Sequence, residues 1–168
     1  KRKLQEFATW AKLNFENQIE LSLKQIGINS EYDVKRSKVQ GDVTIIEGIE
    51  KTFNRQFNSE RDQIINIVRT DGYKHTIEQF ASTWFNRIIA IRFLEIHEYL
   101  DHGFKVFPNE PNTLPEILSN LNFVKEDLNL DMTYIEELTG EGNNKEELYR
   151  YILFRQCNAL AKPLPMLF

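Results

Sequence analysis

The chain has 168 residues, of which 41% are hydrophobic and 27% charged, values that are ordinary for a globular protein of one domain. It carries 21 lysines and arginines against 25 aspartates and glutamates, and the net charge of −4 argues against a protein that binds nucleic acid over its whole surface. A single cysteine excludes internal disulfides, and the sequence has neither a leader-like apolar start nor an apolar run of about 18 residues, so we expect a cytoplasmic protein without a membrane span.

The first predicted element is an amphipathic helix from about Leu4 to Ile26. Its apolar residues recur at steps of three and four, which places them along one helical face. They are Leu4, Phe7, Ala8, Ala11, Phe15, Ile19, Leu23 and Ile26. Gly27 follows that face directly and is expected to end the helix, because glycine adopts the left-handed backbone conformation at little cost.

Two further helices are predicted before the middle of the chain. The first runs from Val43 to Phe57, with its apolar residues at helical spacing and Gly48 inside it. The second begins at Ser59–Asp62, a segment similar to a capping box, and ends at Asp71-Gly72, a turn signal.

The longest predicted helix runs from about Lys74 to Leu100 and is apolar on most of its sides. A helix with this pattern is normally buried at the centre of a domain, so we predict that the other helices pack around it. After a break at Asp101–Gly103, residues 104–107 form at most one short strand, or an extended loop, because the sequence offers no clear partner strand.

Capping and proline signals predict three helices in the last third of the chain. One begins near Pro115, a short one spans Asp131–Leu138, and the last spans Lys145–Ala161. The apolar segment Met166–Phe168 is typical of a chain that continues into further sequence. The expected fold class is therefore mainly α, an irregular multi-helix bundle in which residues 1–168 form a single domain around the long central helix.

Three short motifs resemble chemical sites, and none fits its pattern. The Gly140–Gly142 motif lacks the preceding strand that a nucleotide-binding loop needs. His97 and His102 straddle the end of a predicted helix, where their rings would not share a face as zinc ligands do. Cys157 has no histidine after it to act as a base, so we expect it to be a buried apolar residue. No catalytic, cofactor-binding or metal-binding residue is therefore predicted in this chain.

Four polar residues stand out because they lie on the most apolar helix: Asn86, Arg87, Arg92 and Glu95. Buried arginines need partners, and Arg92 and Glu95 are three residues apart, so they can meet on one helical face. One interpretation is a structural polar network. The other is that Arg87 or Arg92 reaches a DNA phosphate or a neighbouring domain.

A second cluster of interest is basic. Arg61, Arg69, Lys74 and His75 flank the Asp71-Gly72 turn and would form a basic edge if their side chains point the same way. Solvated surface charge without a function is the competing interpretation.

Three separated segments carry a resemblance to a known family. Phe7–Ala11 reads FATWA, Thr83–Glu95 reads TWFNRIIAIRFLE, and the QCNAL of Gln156–Leu160 is followed by Pro165–Phe168. These segments are similar, in the same order, to FATWAR, TWFNRFIALRFME and QCNAL…P.LF in the N-terminal region of PglX-type adenine-specific DNA methyltransferases of BREX phage-defence systems. The three separated matches span nearly the whole chain, and the segments 30–70 and 113–144 between them carry no match.

The resemblance implies an enzyme that transfers a methyl group from S-adenosylmethionine to the N6 amine of adenine in DNA. Such an enzyme needs a glycine-rich cofactor loop after a strand and an Asn-Pro-Pro-Tyr-type motif, and its target base must leave the DNA stack. The chain contains neither motif, and Asn109–Asn112 does not match the catalytic tetrapeptide. The catalytic domain is therefore expected in downstream sequence, and these residues alone are expected neither to methylate DNA nor to bind S-adenosylmethionine.

Three functions remain open at this point. The first is an N-terminal helical scaffold of such a methyltransferase, whose partners would be the catalytic domain of the same chain, DNA through the full-length protein and other phage-defence proteins. The second is a stand-alone protein-interaction module that binds through an apolar patch around Met166–Phe168. The third is an independent DNA-binding module, which the net acidity of the chain disfavours.

Overall fold

Six α-helices account for most of what the computed structural model describes, namely residues 2–111, 113–140 and 144–168. The helices are α1 (Arg2–Gln25), α2 (Phe57–Asp71), α3 (Tyr73–Ile96), α4 (Leu121–Val124), α5 (Met132–Gly140) and α6 (Lys145–Ala161). Three short strands, β1 (Ser37–Gln40), β2 (Val43–Ile46) and β3 (Phe53–Asn54), and a 3₁₀ turn at Glu116–Ser119 complete the elements. The mainly α class predicted from the sequence is confirmed.

The chain forms two compact units, one up to Phe85 and one from Asn86, and the division falls within α3. The acidic excess of the sequence lies in the second unit, whereas the charges of the first nearly balance. The single domain predicted for residues 1–168 stays a prediction, and each unit is described separately below.

The three strands form an antiparallel sheet in the order β1-β2-β3, in the first unit. Gln40 pairs with Val43, so the β1–β2 hairpin turns through two residues, of which Gly41 has a φ of 60°. The predicted helix from Val43 to Phe57 is wrong. A short run of β-branched residues favours a strand, and the alternating burial of β2, with Thr44 and Ile46 inside, is the pattern of a half-buried strand.

The start of α2 also differs from its prediction. The helix begins at Phe57, two residues before the predicted capping box, because the Oδ1 atom of Asn54 accepts the backbone N–H of Phe57 at 2.9 Å. The rings of Phe53 and Phe57 stack at 4.1 Å and hold the entry to the helix. The predicted end is confirmed, since Gly72 has a φ of 88° and follows the last residue of α2.

The core of the first unit lies where the end of α1, the helix α2 and the start of α3 meet. Its buried members are Leu23, Ile28, Ile65, Val68 and Ile77. The predicted apolar face of α1 is buried at Ala11 and Leu23, but Phe7 is 48% exposed nearer the start of the helix. The same part of α1 carries Trp10, which is 61% exposed.

Gly27 ends α1 as predicted, with a φ of 73°. A second constraint acts at this position, because a Cβ atom on Gly27 would lie 2.9 Å from the Cβ of Lys35. The chain therefore turns after α1 and returns in close contact with the segment before β1, where the N–H of Lys35 donates to the carbonyl oxygen of Gly27 at 2.8 Å.

Arg61, on α2, is only 1% exposed and connects the end of α1 to the segment before β1. Its guanidinium donates to the carbonyl oxygens of Ile26 at 2.7 Å and Lys35 at 2.6 Å, and to the Ser37 hydroxyl at 3.2 Å. Arg61 is therefore a buried residue, and the basic edge to which it was assigned stays a prediction. The irregular chain between α1 and β1 leaves carbonyl groups without helical or sheet partners, and buried carbonyls need a donor.

The second unit has its own core, formed by residues from the end of α3, the loops that follow and α6. Its fully buried aliphatic residues are Ile91, Val106, Ile117, Val124 and Ile152. Of the two alternatives for residues 104–107, the extended loop is the one formed: the segment pairs with no strand of the described chain, and a side chain of α3 binds its backbone.

The helix α3 departs from its prediction in two ways. It ends at Ile96 rather than near Leu100, and Glu98, just past its end, has a φ of 57°. It is also not buried on all its apolar sides, because Ile89 is 47% exposed and Phe93 is 53% exposed. A helix at the centre of a domain would bury both residues, so this face of α3 is open.

The buried position of Arg61 gives a first testable prediction. Arg61→Ala leaves three buried acceptors without a donor, and we expect it to lower the free energy of unfolding by about 2–4 kcal/mol in urea titrations followed by circular dichroism. Arg61→Lys should have a free energy of unfolding between those of the unchanged protein and Arg61→Ala, because an ammonium lacks the planar fork of donors.

The matched control for this prediction is Arg69→Ala, an exposed arginine on the same helix, which should change the free energy by less than about 0.5 kcal/mol. If Arg61→Ala and Arg69→Ala unfold at the same urea concentration, the buried guanidinium does not hold these segments together.

Candidate functional site

The side chain of Glu95 accepts three hydrogen bonds within the second unit. It lies on the last turn of α3, and its side chain is 1% exposed. One carboxylate oxygen accepts the backbone N–H groups of Val106 and Phe107, and the other accepts a guanidinium N–H of Arg92 at 2.9 Å. These bonds tie the irregular segment 104–107 to α3 and satisfy both oxygens of a buried carboxylate.

Arg92 therefore makes the contact with Glu95 that their spacing allows. Its side chain is 39% exposed and lies at the edge of a pocket of about 510 Å³. The other charged residues that line this pocket are Glu95, Glu98 and Lys105, so two cationic and two anionic groups balance. A pocket of balanced charge does not attract a phosphate, and the arrangement fits a structural pair with a solvent-facing rim.

The two remaining polar residues of this helix lie in different surroundings. Asn86 is exposed and lines an apolar groove on α3. Arg87 is half-buried near Cys157, where burial raises the pKa of the thiol and the charge of Arg87 lowers it by less. Cys157 is 3% exposed, so it is a protonated, buried thiol rather than a thiolate nucleophile.

Tyr149, on α6, is a neighbour of Glu95 that no sequence pattern singles out. Burial first, and the nearby charge of Glu95 second, raise the pKa of Tyr149 to about 12. Its hydroxyl is therefore protonated at neutral pH and does not act as a base.

The two histidines considered as zinc ligands, His97 and His102, contact different residues. His97 stacks on Phe93 with 4.3 Å between ring centroids. His102 accepts the N–H of Phe104 at its Nδ1 atom, so its Nε2 atom carries the proton and donates to the Oε1 atom of Gln156 at 2.9 Å. Within the described ranges, no group of three or more histidine, cysteine, aspartate or glutamate side chains is placed to hold a metal ion.

An apolar groove runs along the open face of α3 and has a volume of about 390 Å³. It is lined by Asn86, Ile89, Ala90, Phe93 and Leu94 of α3 and by Leu164 and Leu167 of the turn after α6. We call this surface the α3 apolar groove. The C-terminal turn is held by the N–H of Leu164, which donates to the carbonyl oxygen of Leu160 at 2.9 Å. Contiguous apolar surface of this kind is characteristic of an interaction site.

A second groove, in the first unit, is rich in positive charge and has a volume of about 460 Å³. It lies between α2 and the segment before β1. Its lining residues are Val34, Lys35, Arg36, Ser37, Arg61, Asp62, Ile65, Asn66 and Arg69. We call this surface the cationic groove. Four of its residues are cationic and one is anionic.

The cationic groove replaces the predicted basic edge only in part. Arg61 and Arg69 both line it, with Arg61 buried beneath the surface and Arg69 exposed. Lys74 and His75 are exposed on the first turn of α3 and do not line it, and Lys74 lies 4.0 Å from Glu78. No sequence pattern predicts that Lys35 and Arg36 line this groove. Both lie in the loop between α1 and β1, and the path of that loop brings them next to α2.

The described residues do not fit an S-adenosylmethionine site. Such a site needs a glycine-rich loop between a strand and a helix of an α/β sheet. The three strands here form short antiparallel pairs, and Gly41 lies in a hairpin turn. Of the Gly140–Gly142 motif, Gly140 ends α5, whereas Glu141 and Gly142 lie outside the described residues. No step of methyl transfer is assigned to this chain, and its inability to bind the cofactor alone stays a prediction.

Among the described residues, no helix combines the length and apolar character that crossing a membrane would require. The longest helices, α1 and α3, carry charged residues along their length, including Glu95 in the last turn of α3.

Comparison with known proteins gives two informative similarities, and no family model matches the chain. The chain is 39% identical over 110 residues to the adenine-specific methyltransferase BrxX of Escherichia coli O9:H4 (strain HS), a match that covers 64% of this chain and 9% of that protein. It is 28% identical over 184 residues to the adenine-specific methyltransferase PglX of Lacticaseibacillus casei (strain Zhang), covering 100% of this chain and 15% of that protein.

The resemblance to PglX-type methyltransferases predicted from the sequence is therefore confirmed. Most of the length of each relative has no counterpart in these 168 residues.

The contacts of Glu95 give a second testable prediction. Glu95→Ala removes the acceptor of two backbone N–H groups, and we expect it to lower the free energy of unfolding by about 2–4 kcal/mol. Hydrogen exchange at the amides of Val106 and Phe107 should accelerate with it. Glu95→Gln keeps one acceptor oxygen and should lower the free energy of unfolding by less than Glu95→Ala does.

Glu98→Ala, at an exposed acidic residue of the same pocket, is the matched control and should leave both amides protected. Unchanged exchange at Val106 and Phe107 in Glu95→Ala would contradict the role given to this carboxylate.

Proposed function

We propose that these residues form an N-terminal helical scaffold domain of an S-adenosylmethionine-dependent, adenine-specific (N6) DNA methyltransferase of a BREX phage-defence system. The similarity to BrxX and PglX supports the parent enzyme, its cofactor, its DNA substrate and a location in the bacterial cytoplasm. Methyl transfer would take place in a catalytic domain of the full-length protein. That domain would correspond to the part of the relatives that these 168 residues do not cover.

The observation that carries the scaffold role is the α3 apolar groove. Ile89, Phe93 and Leu167 are each between 42% and 53% exposed, although all three are large apolar side chains. Covering apolar surface is favourable by about 25 cal/mol for each Å² removed from water. The exposed apolar face of α3 is therefore best explained by another protein surface that covers it.

The polar groups beside the groove support docking rather than catalysis. Glu95 has both of its oxygens hydrogen-bonded, Cys157 is a buried thiol, and Tyr149 stays protonated at neutral pH. The carboxylate of Glu95 is occupied in holding α3 to the segment that follows it. A rigid unit with an open apolar face is suited to positioning another domain.

The occupant proposed for the α3 apolar groove is the catalytic domain of the same protein. The relatives contain far more chain than these residues, and Leu164 and Leu167, which line one side of the groove, belong to the last segment of the sequence. Other phage-defence proteins are a second class of occupant, and a stand-alone interaction module would use the same surface for a separate partner.

A truncation tests the scaffold role. Full-length protein that lacks residues 1–168 is expected to be insoluble or inactive, because its catalytic domain would expose the apolar surface that these residues cover. The measurement is the soluble yield, together with adenine methylation of plasmid DNA read by sequencing. A truncated protein that methylates as well as the full-length protein would show that no scaffold is needed.

A double substitution tests the surface itself. Ile89→Glu with Leu167→Glu places two charges in the α3 apolar groove, and we expect at least a tenfold loss of methylation by the full-length protein, or of its association with the separately expressed catalytic domain. A tenfold loss corresponds to about 1.4 kcal/mol, and a charge left unpaired inside an apolar interface costs more than that. Both residues are more than one-third exposed, so the isolated chain should keep its circular dichroism spectrum.

Met166→Glu is the matched control, since Met166 is adjacent to Leu167, is 97% exposed and does not line the groove. It should retain full methylation. An equal loss in Met166→Glu, or no loss in the double variant, would count against the α3 apolar groove as the docking surface.

A further inference from the structure

We propose that the cationic groove binds the phosphodiester backbone of duplex DNA without regard to base sequence. This inference goes beyond the scaffold role, because it gives the first unit a nucleic-acid contact of its own. It rests on the charge, the burial and the chemistry of residues 34–37 and 61–69, and not on the α3 apolar groove.

The charge of the groove is positive at its surface. Arg36 and Arg69 are exposed, and neither makes a side-chain hydrogen bond or ion pair within the described part of the chain. Lys35 lies 3.3 Å from Asp33, and Asp62 accepts a weak hydrogen bond from Asn58 at 3.3 Å. Two guanidinium groups therefore remain available to an anion.

Arg61 adds a buried positive charge beneath this surface. Its hydrogen bonds go to carbonyl oxygens and a hydroxyl, and no carboxylate forms an ion pair with it among the described residues. Such dipoles stabilise a guanidinium but do not cancel its charge, which is felt strongly where the surroundings contain little water. Asp62 supplies part of the opposite charge nearby, and a phosphate in the groove would add to it.

Arg61 also prepares the groove for binding. Its bonds to the backbone of Lys35 and to the hydroxyl of Ser37 fix the segment that carries Arg36 against α2, where Arg69 lies two turns further along. Cationic side chains that start from a fixed backbone lose less freedom on binding than those of a mobile loop.

Positive charge continues beyond the groove along the edge of the sheet. Arg36 also lines a neighbouring pocket of about 480 Å³, together with Lys38 and Glu47. The strand β1, which carries Lys38, is an edge strand of the sheet. Phosphates follow each other closely along a duplex, so a row of cationic groups of this kind can contact more than one of them.

The lining of the groove indicates what part of DNA it recognises. No aromatic residue lines it, so bases have no ring to stack on. Arginine and backbone N–H groups are the usual donors to phosphate oxygens, and these contacts carry no sequence information. The expected ligand is therefore an intact duplex rather than an unpaired strand.

The test uses the 168-residue chain and a fluorescein-labelled 20-base-pair duplex, with fluorescence anisotropy measured from low to near-physiological salt. Binding should weaken linearly on a log–log plot, with a slope of about −0.9 for each phosphate contacted, and so about −2 to −3 for two or three contacts. A scrambled duplex should bind equally well, and the unlabelled single strand should compete less well than the duplex.

Substitutions locate the contact. Arg36→Glu with Arg69→Glu should weaken binding at low salt by at least tenfold and reduce the salt slope by about one to two. Arg36→Lys with Arg69→Lys should keep most of the affinity, because it keeps the charge. Lys125→Glu with Lys162→Glu changes the net charge by the same amount at two exposed residues of the second unit and should have little effect.

Several results would overturn the proposal: no binding at low salt, an equal loss in the Lys125 and Lys162 control, or tighter binding to single-stranded DNA or to duplex RNA. Ile89→Glu with Leu167→Glu should leave this binding unchanged. Failure of the cationic groove and failure of the α3 apolar groove are therefore separate results.

Discussion

The fold depends on how the irregular segments of the chain satisfy their backbone groups. In the first unit the carbonyl oxygens between α1 and β1 receive donors from the buried guanidinium of Arg61. In the second, the N–H groups of residues 106 and 107 find an acceptor in the buried carboxylate of Glu95. Buried peptide groups cannot be left without partners, so one charged side chain in each unit substitutes for regular secondary structure.

The same two residues explain where the candidate surfaces lie. Glu95 and Arg92 hold α3 against the segment that follows it, and the exposed residues Ile89 and Phe93 remain open to another protein surface. Arg61 occupies the inside of α2 and leaves Arg36 and Arg69 on the outside. In both units the buried charged residue has a structural role. The surface that could bind a partner lies next to that residue.

Sequence patterns were reliable where local preference and burial agree. The end of α1 at Gly27, the end of α2 at Gly72 and the Arg92–Glu95 pair follow from glycine conformation and helical spacing. The β2 strand was missed because a short apolar run fits a helix or a strand, and pairing with distant residues decides between them. The cationic groove was only partly foreseen, because Lys35 and Arg36 reach it through a loop whose path is set by Gly27 and Arg61.

The exposed start of α1 has a consequence for spectroscopy. Trp10 is 61% exposed and lies 6.0 Å from the ring of Phe7, and the chain contains only one other tryptophan. An indole surrounded by water emits at long wavelength and is quenched by iodide, whereas a covered indole emits at shorter wavelength. Trp10 is therefore a natural optical reporter on the first turns of α1, and a shift in its emission would reveal any molecule that covers them, without a label.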